Sequence, residues 1–187
     1  MADEPNGRYR LVEALRRAIR LSIETRAPDH VLETASEAID RASDEVALHP
    51  AQRLGEVSRP LTENSPIHGW ANPTAPPATY TIADGKLTGT VTLGPQHETR
   101  AGVAHGGIVA LLFDDLLGAL EITTESPGVT GELTIRYLRP TPVGKELQLE
   151  ARIDRLEARK IYASGTVSYG GEVCAEAEAV FIGPLRA

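Results

Sequence analysis

Residues 106–122 read GGIVALLFDDLLGALEI, and the fold turns on how this stretch is read. It is apolar on nearly every face at helical spacing, so the helix it predicts needs protein on most of its sides. On its C-terminal side come segments of strand character: Glu132 to Leu138, Glu146 to Arg155, Lys160 to Tyr169 and, across a Gly170-Gly171 turn, Val173 to Phe181. In the last of these, Val173, Ala175, Ala177, Ala179 and Phe181 alternate with Cys174, Glu176 and Glu178, the pattern of a strand with one dry and one wetter face. On its N-terminal side an Asp84-Gly85 hairpin signal precedes Leu87, Gly89, Val91 and Leu93 at period two. The order is strand, strand, buried helix, strands. A curved antiparallel sheet wrapped around one long central helix satisfies it, because only a curved sheet covers so many sides of a helix. The fold class is therefore α+β.

Farther upstream, Pro60, Pro66, Pro73, Pro76 and Pro77 interrupt any period between Ser58 and Thr79 and predict extended, irregular backbone. Before them, Leu11, Leu15, Ile19 and Ile23 recur along Arg8 to Arg26, predicting a first amphipathic helix. Pro28 stops it, and Asp29 opens a second with the stripe Leu32, Ala35, Ile39, Ala42 and Val46, ending near His49 and Pro50. Two such helices are expected to form a hairpin sharing one seam and to pack on a larger body or a partner. The domain reading is a helical extension over 1–57, a proline-rich linker over 58–79 and the sheet-and-helix domain over 80–187.

Composition narrows the function. The chain has 187 residues, 41% hydrophobic and 24% charged, enough for one domain with an appendage. A formal net charge of -7 is the wrong sign for general phosphate binding, so nucleic acid is not an expected partner. A lone cysteine, Cys174, excludes an internal disulfide framework and fits a cytoplasmic setting. The polar start MADEPNGRYR and the lack of a long apolar run predict neither signal peptide nor membrane anchor.

Two carboxylates, Asp114 and Asp115, lie in the most apolar helix, where a charge is costly without a partner. Neighbouring helical positions point about 100° apart, so one faces a site and the other a cap, a partner or solvent. Asp114 stands seven residues after Gly107, two turns away on the same face, which selects it for the site. The helix opens on Ala104–Gly107, AHGG, where unpaired amides and the helix dipole favour negative charge. Gly106 and Gly107 either admit a substrate to donors for a developing oxyanion or simply permit a tight strand-to-helix turn. His105 is a positioning residue, for an acyl group or for the loop. His68, His97 and His105 lack metal-ligand spacing, and no phosphate loop, nucleophile elbow or dinucleotide fingerprint appears. Neither metal nor cofactor is expected. Gly106 and Asp114 stand about 12 Å apart along the helix, too far to act on one carbonyl carbon from a single chain. Two copies with antiparallel helices bring the glycine end of one beside the aspartate of the other, so a homodimer is part of the expected site.

With these residues in view, the stretch from about Asn72 onward resembles the hotdog-fold acyl-CoA thioesterases, in their PaaI-like branch. The resemblance rests on GVAHGGIVALLFDD, on GVTGELTIRYLRPTPVGKEL and on NPTAPP. It implies a dimer, often paired again into a tetramer, and acyl-CoA as the partner. It also implies site roles. The acidic residue nine positions after the motif histidine, Asp114, activates water or attacks the thioester. Its hydroxyl partner is Thr130, and the Gly106 N–H of the neighbouring subunit is the oxyanion donor. Thr99 stands where many relatives carry Asn. Arg136, Arg139, Lys145, Arg159 and Lys160 are cations available to the coenzyme A phosphates, or a solvated sheet edge. One rival is a non-catalytic acyl-CoA sensor, favoured by Arg8, Arg10, Arg16, Arg17, Arg20 and Arg26 near the first helix and opposed by the acidic second one. Another is an enoyl-CoA hydratase on the same fold.

Overall fold

The structure is a computed structural model describing residues 7–50, 72–125 and 127–183. Its elements are α1 (Gly7–Glu24), α2 (Asp29–Ala47), β1 (Thr79–Ala83), β2 (Lys86–Thr92), β3 (Glu98–Arg100), β4 (Val103–Ala104), α3 (Gly106–Glu121), β5 (Val129–Tyr137), β6 (Glu146–Glu157), β7 (Lys160–Tyr169) and β8 (Glu172–Ile182). Residues 51–71 lie outside the described residues and include most of the expected linker, with Pro60, Pro66 and His68.

The strands pair in the order β1-β2-β6-β7-β8-β5, every neighbour antiparallel. Asp84 and Gly85 both take positive φ, 50° and 70°, which closes the β1–β2 hairpin in the sense that matches strand twist. Gly170 and Gly171 do the same between β7 and β8. Helix α3 lies across the sheet and touches β2, β5, β6, β7 and β8. Small residues make that approach possible. Ala163 and Gly165 on β7 and Ala175, Ala177 and Ala179 on β8 face Leu112, Phe113, Leu116, Leu117 and Leu120 of the helix. A Cβ on Gly165 would stand 2.9 Å from the Glu150 carbonyl oxygen, closer than real side chains come. Each large apolar side chain buried in this layer contributes about 1.5–3 kcal/mol relative to exposure.

The expected α+β architecture is present, with three local departures. A short two-stranded ribbon, β3 with β4, precedes α3. A bulge between Val167 and Ser168 breaks the alternation of β8, so that Val173 is half-buried and Cys174 is buried. The third concerns the N-terminal helices. Helix α1 docks on the body through buried Val12 and through Arg16, which donates to the carbonyls of Asn72 (2.7 Å) and Ala75 (2.9 Å). Every residue of α2 is exposed, so the seam expected between the two helices does not form. Extended Pro28 (φ -68°, ψ 155°) separates them, and a four-residue link that does not fold the helices together leaves the stripe of α2 open, while Leu15 and Ile19 of α1 are half-buried.

Candidate active site

Helix α3 is not covered all round. Gly107, Asp114 and their helical neighbours Leu111 and Gly118 form its open stripe, with Asp114 and Gly107 exposed and the other two partly so. Asp115, one position on, points inward at 8% exposure, as the 100° step between neighbours requires. It lies near Tyr80, whose phenol pKa is raised by burial first and by the Asp115 charge second.

At the middle of the open stripe, the Thr130 hydroxyl donates to Asp114 Oδ1 at 3.0 Å. A bulge puts Thr130 there. Leu133 and Ile135 of β5 face the helix, and strict alternation would send Thr130 to the opposite face of the sheet. Gly131 is the extra residue between Thr130 and Glu132, and it lets Thr130 pair with core-facing Phe181 on the helix side. The start of β5 is fixed in turn by Glu121, the last residue of α3. Glu121 is 3% exposed, and its Oε2 accepts the Gly128 N–H at 3.0 Å. Burial raises its carboxyl pKa, and the Gly128 hydrogen bond partly offsets this.

The glycine end is built as carefully. The Ala104 and His105 amides donate to Thr141 O (2.9 Å) and His97 O (2.7 Å), which holds His105 extended as the N-cap of α3. His105 Nδ1 accepts the Gly107 N–H at 2.9 Å, so the neutral ring carries its proton on Nε2. The Gly107 amide is thereby occupied within the chain. The Gly106 N–H has no acceptor among the described residues, as expected of a first-turn amide. Tyr137 covers this corner: its hydroxyl donates to Gly106 O at 2.9 Å, and its ring stands 3.6 Å from where a Gly106 Cβ would be. Since Gly106 C=O and Gly107 N–H belong to one peptide unit, Tyr137, that peptide and His105 form a continuous hydrogen-bonded chain. Nearby His97 is 3% exposed, its Nδ1 accepting the Gly94 N–H at 3.0 Å. Burial, then the charge of Arg16, lower its pKa, and it serves as a neutral structural imidazole.

One chain thus brings Thr130 to Asp114, and His105 and Tyr137 to Gly106 and Gly107. It leaves Asp114 and Gly106 about 12 Å apart along the helix. Thr99 is exposed on β3. Arg139 follows β5 at the glycine end and is ion-paired to Glu172. Lys160 opens β7 opposite Ile182, the residue that also faces Val129, and so lies at the Thr130 end. The two cations are therefore at opposite ends of β8.

A family model of the thioesterase superfamily matches residues 101–175. A solved thioesterase superfamily protein superposes with a TM-score of 0.85 at 30% identity, covering 96% of this chain and 92% of that one. The chain belongs to the thioesterase superfamily. Acyl-coenzyme A thioesterase THEM4 of Xenopus laevis is 28% identical over 85 residues, 46% of this chain and 38% of that protein. Acyl-coenzyme A thioesterase 13 of Mus musculus is 33% identical over 73 residues, 38% of this chain and 52% of that protein. The chain thus matches about two-fifths to one-half of the length of these curated relatives. The superfamily match contains Asp114, Thr130, His105, Gly106 and Tyr137, whereas α1 and α2 lie outside it.

Sequence reasoning missed two residues of this candidate site. Tyr137 stands in the quoted GELTIRYLRP strand, and an aromatic residue at the polar end of a strand was the available signal. Glu121 closes a helix otherwise read as apolar; a third carboxylate in that run was the signal for it.

Proposed function

We propose that the protein hydrolyses an acyl-CoA thioester to the free acid and coenzyme A. The observation that carries this reading is the Asp114 carboxylate on the open stripe of an otherwise buried helix, held at Oδ1 by Thr130. Its Oδ2 accepts no hydrogen bond among the described residues and is the atom available for chemistry. Acting as general base, it takes a proton from water as the water oxygen bonds to the thioester carbon; acting as nucleophile, it forms an anhydride that water opens. On either route the C–S bond breaks, the thiolate takes up a proton, and negative charge builds on the carbonyl oxygen in between. The Gly106 N–H of a second protomer, at the positive end of its α3, is the donor for that charge. Gly107, its amide engaged by His105, shapes the turn and keeps the approach open. His105 presents Nε2–H toward the acyl group. Two copies with antiparallel α3 helices complete two sites, and the open stripe of small and apolar residues around Asp114 supports that packing. Arg139 of one protomer and Lys160 of the other are assigned to the phosphates of coenzyme A, Thr99 to the thioester end and the cytoplasm to the working compartment. The names of the curated relatives support the substrate class.

A panel of acyl-CoA esters followed with a thiol-reactive dye tests the reading. Thiol release from at least one ester is expected, with Asp114→Asn slower by about a hundredfold or more and Thr130→Ala affected less. Binding of an acyl-CoA without any thiol release would replace the hydrolase with a sensor.

A further inference from the structure

Helix α2 presents an amphipathic surface with no cover among the described residues. Leu32, Ala35, Ile39, Ala42 and Val46 recur at alternating steps of three and four, and Leu32, Ile39 and Val46 are 43%, 48% and 56% exposed. An isolated helix of this length is marginal in water and draws most of its stability from burying such a stripe. The matching half is on α1. One face of α1 is already buried on the body through Val12 and Arg16. Flanking that face, Leu11, Ala14, Ala18 and Leu21 follow the same three-four spacing, with Leu11 and Leu21 45% and 41% exposed and Ala18 half-buried. Alanines within both seams let two such helices approach closely.

Charge selects the pairing. Helix α1 holds five arginines against two glutamates, a net +3, while α2 holds six acidic residues against Arg41, a net -5. Two α2 helices side by side would juxtapose like charges; α1 against α2 juxtaposes opposite ones. Arg10 and Arg17 border the outward stripe of α1, and Asp29 and Glu45 border that of α2. None of the four makes an ion pair among the described residues. Within one chain the helices do not cover each other, as α2 is exposed throughout.

We propose that α2 of one copy packs against the outward stripe of α1 of a second copy, with the reciprocal contact made about the same two-fold axis. The occupant is a second copy because both halves of the seam, oppositely charged, are present in equal number on every chain. The contact is independent of the thioester chemistry and stands or falls without it.

Amide hydrogen exchange on the full-length protein tests it with two charge-reversed variants. One carries Arg10→Glu and Arg17→Glu; the other carries Asp29→Lys and Glu45→Lys. In the unaltered protein the amides of 29–47 should be protected, and in either variant alone they should exchange faster by about tenfold or more. Amides of β6 to β8 should not change in either. In an equimolar mixture the protection should return, since a mixed pair sets reversed α1 against reversed α2 and native α1 against native α2. Protection lost only in the α2 variant would name another occupant. Loss in both without recovery on mixing would place the contact inside one chain. An α2 unprotected in the pure unaltered protein would assign its stripe to a different partner. Each of these three results overturns the proposal.

Discussion

At the scale of single residues, the Tyr137 hydroxyl decides how firmly the glycine corner is held. It fixes the Gly106 carbonyl, and through the same peptide the amide that sets the His105 tautomer. Tyr137→Phe keeps the ring over Gly106 and removes one neutral hydrogen bond, worth about 0.5–1.5 kcal/mol. The expected loss in kcat/KM on an acyl-CoA is therefore about three- to tenfold, with the melting temperature lower by no more than about 5 °C. A loss as large as that of Asp114→Asn would mean that Tyr137 itself touches the reacting group. The contrast between Asp114 and Asp115 was legible in the sequence, because helical geometry sends neighbours to different environments and only one of them shares a face with Gly107. The face that Thr130 occupies was not legible from period-two counting. The Gly131 bulge reverses the parity of β5 just before it reaches the site.

Among the elements, the connection from α3 to β5 positions the two halves of the Asp114–Thr130 pair, and Glu121 holds it. The folded-state carboxyl pKa of Glu121 lies above its ordinary value of 4.5 because the group is buried. Its contribution to stability is therefore complete below about pH 4.5 and is lost as pH rises through the raised folded-state value. Glu121→Gln keeps an oxygen acceptor for the Gly128 amide and cannot ionise. In denaturant titrations the variant should gain stability relative to the unaltered protein at pH 8 and match it at pH 4. A variant weaker at pH 8 than at pH 4 would show the carboxylate to be favourably paired. Most regular elements were legible: the β1–β2 hairpin turns at the expected Asp84-Gly85, and α3 and β5 to β8 begin and end within a few residues of their sequence-based limits. Each carries a dense local pattern of apolar period or turn glycines. The β3–β4 ribbon was not legible, because its two short strands are too brief to show a period and are held by main-chain bonds to His97 and Thr141.

For the whole molecule, two surfaces are left open among the described residues, and a second copy is proposed against each. The first is the uncovered seam of α1 and α2; the second is the stripe of α3 around Asp114. Arithmetic along the helix is the ground for proposing a second chain at the latter, since a rise of about 1.5 Å per residue cannot bring Gly106 and Asp114 to one carbon. The separation of α1 from α2 was not legible, because an amphipathic stripe announces that it needs a partner without saying which chain supplies it.

Subunit complementation tests the shared site most directly. Asp114→Asn removes the carboxylate, and Gly106→Pro removes the first-turn amide at a helical position that accepts proline. Each protein alone should release thiol from acyl-CoA at a small fraction of the normal rate. Co-expressed in equal amounts, they should recover about a quarter of it, because half of the dimers are mixed and each mixed dimer rebuilds one of two sites. A mixture no more active than its separate components would contradict a centre built from two chains.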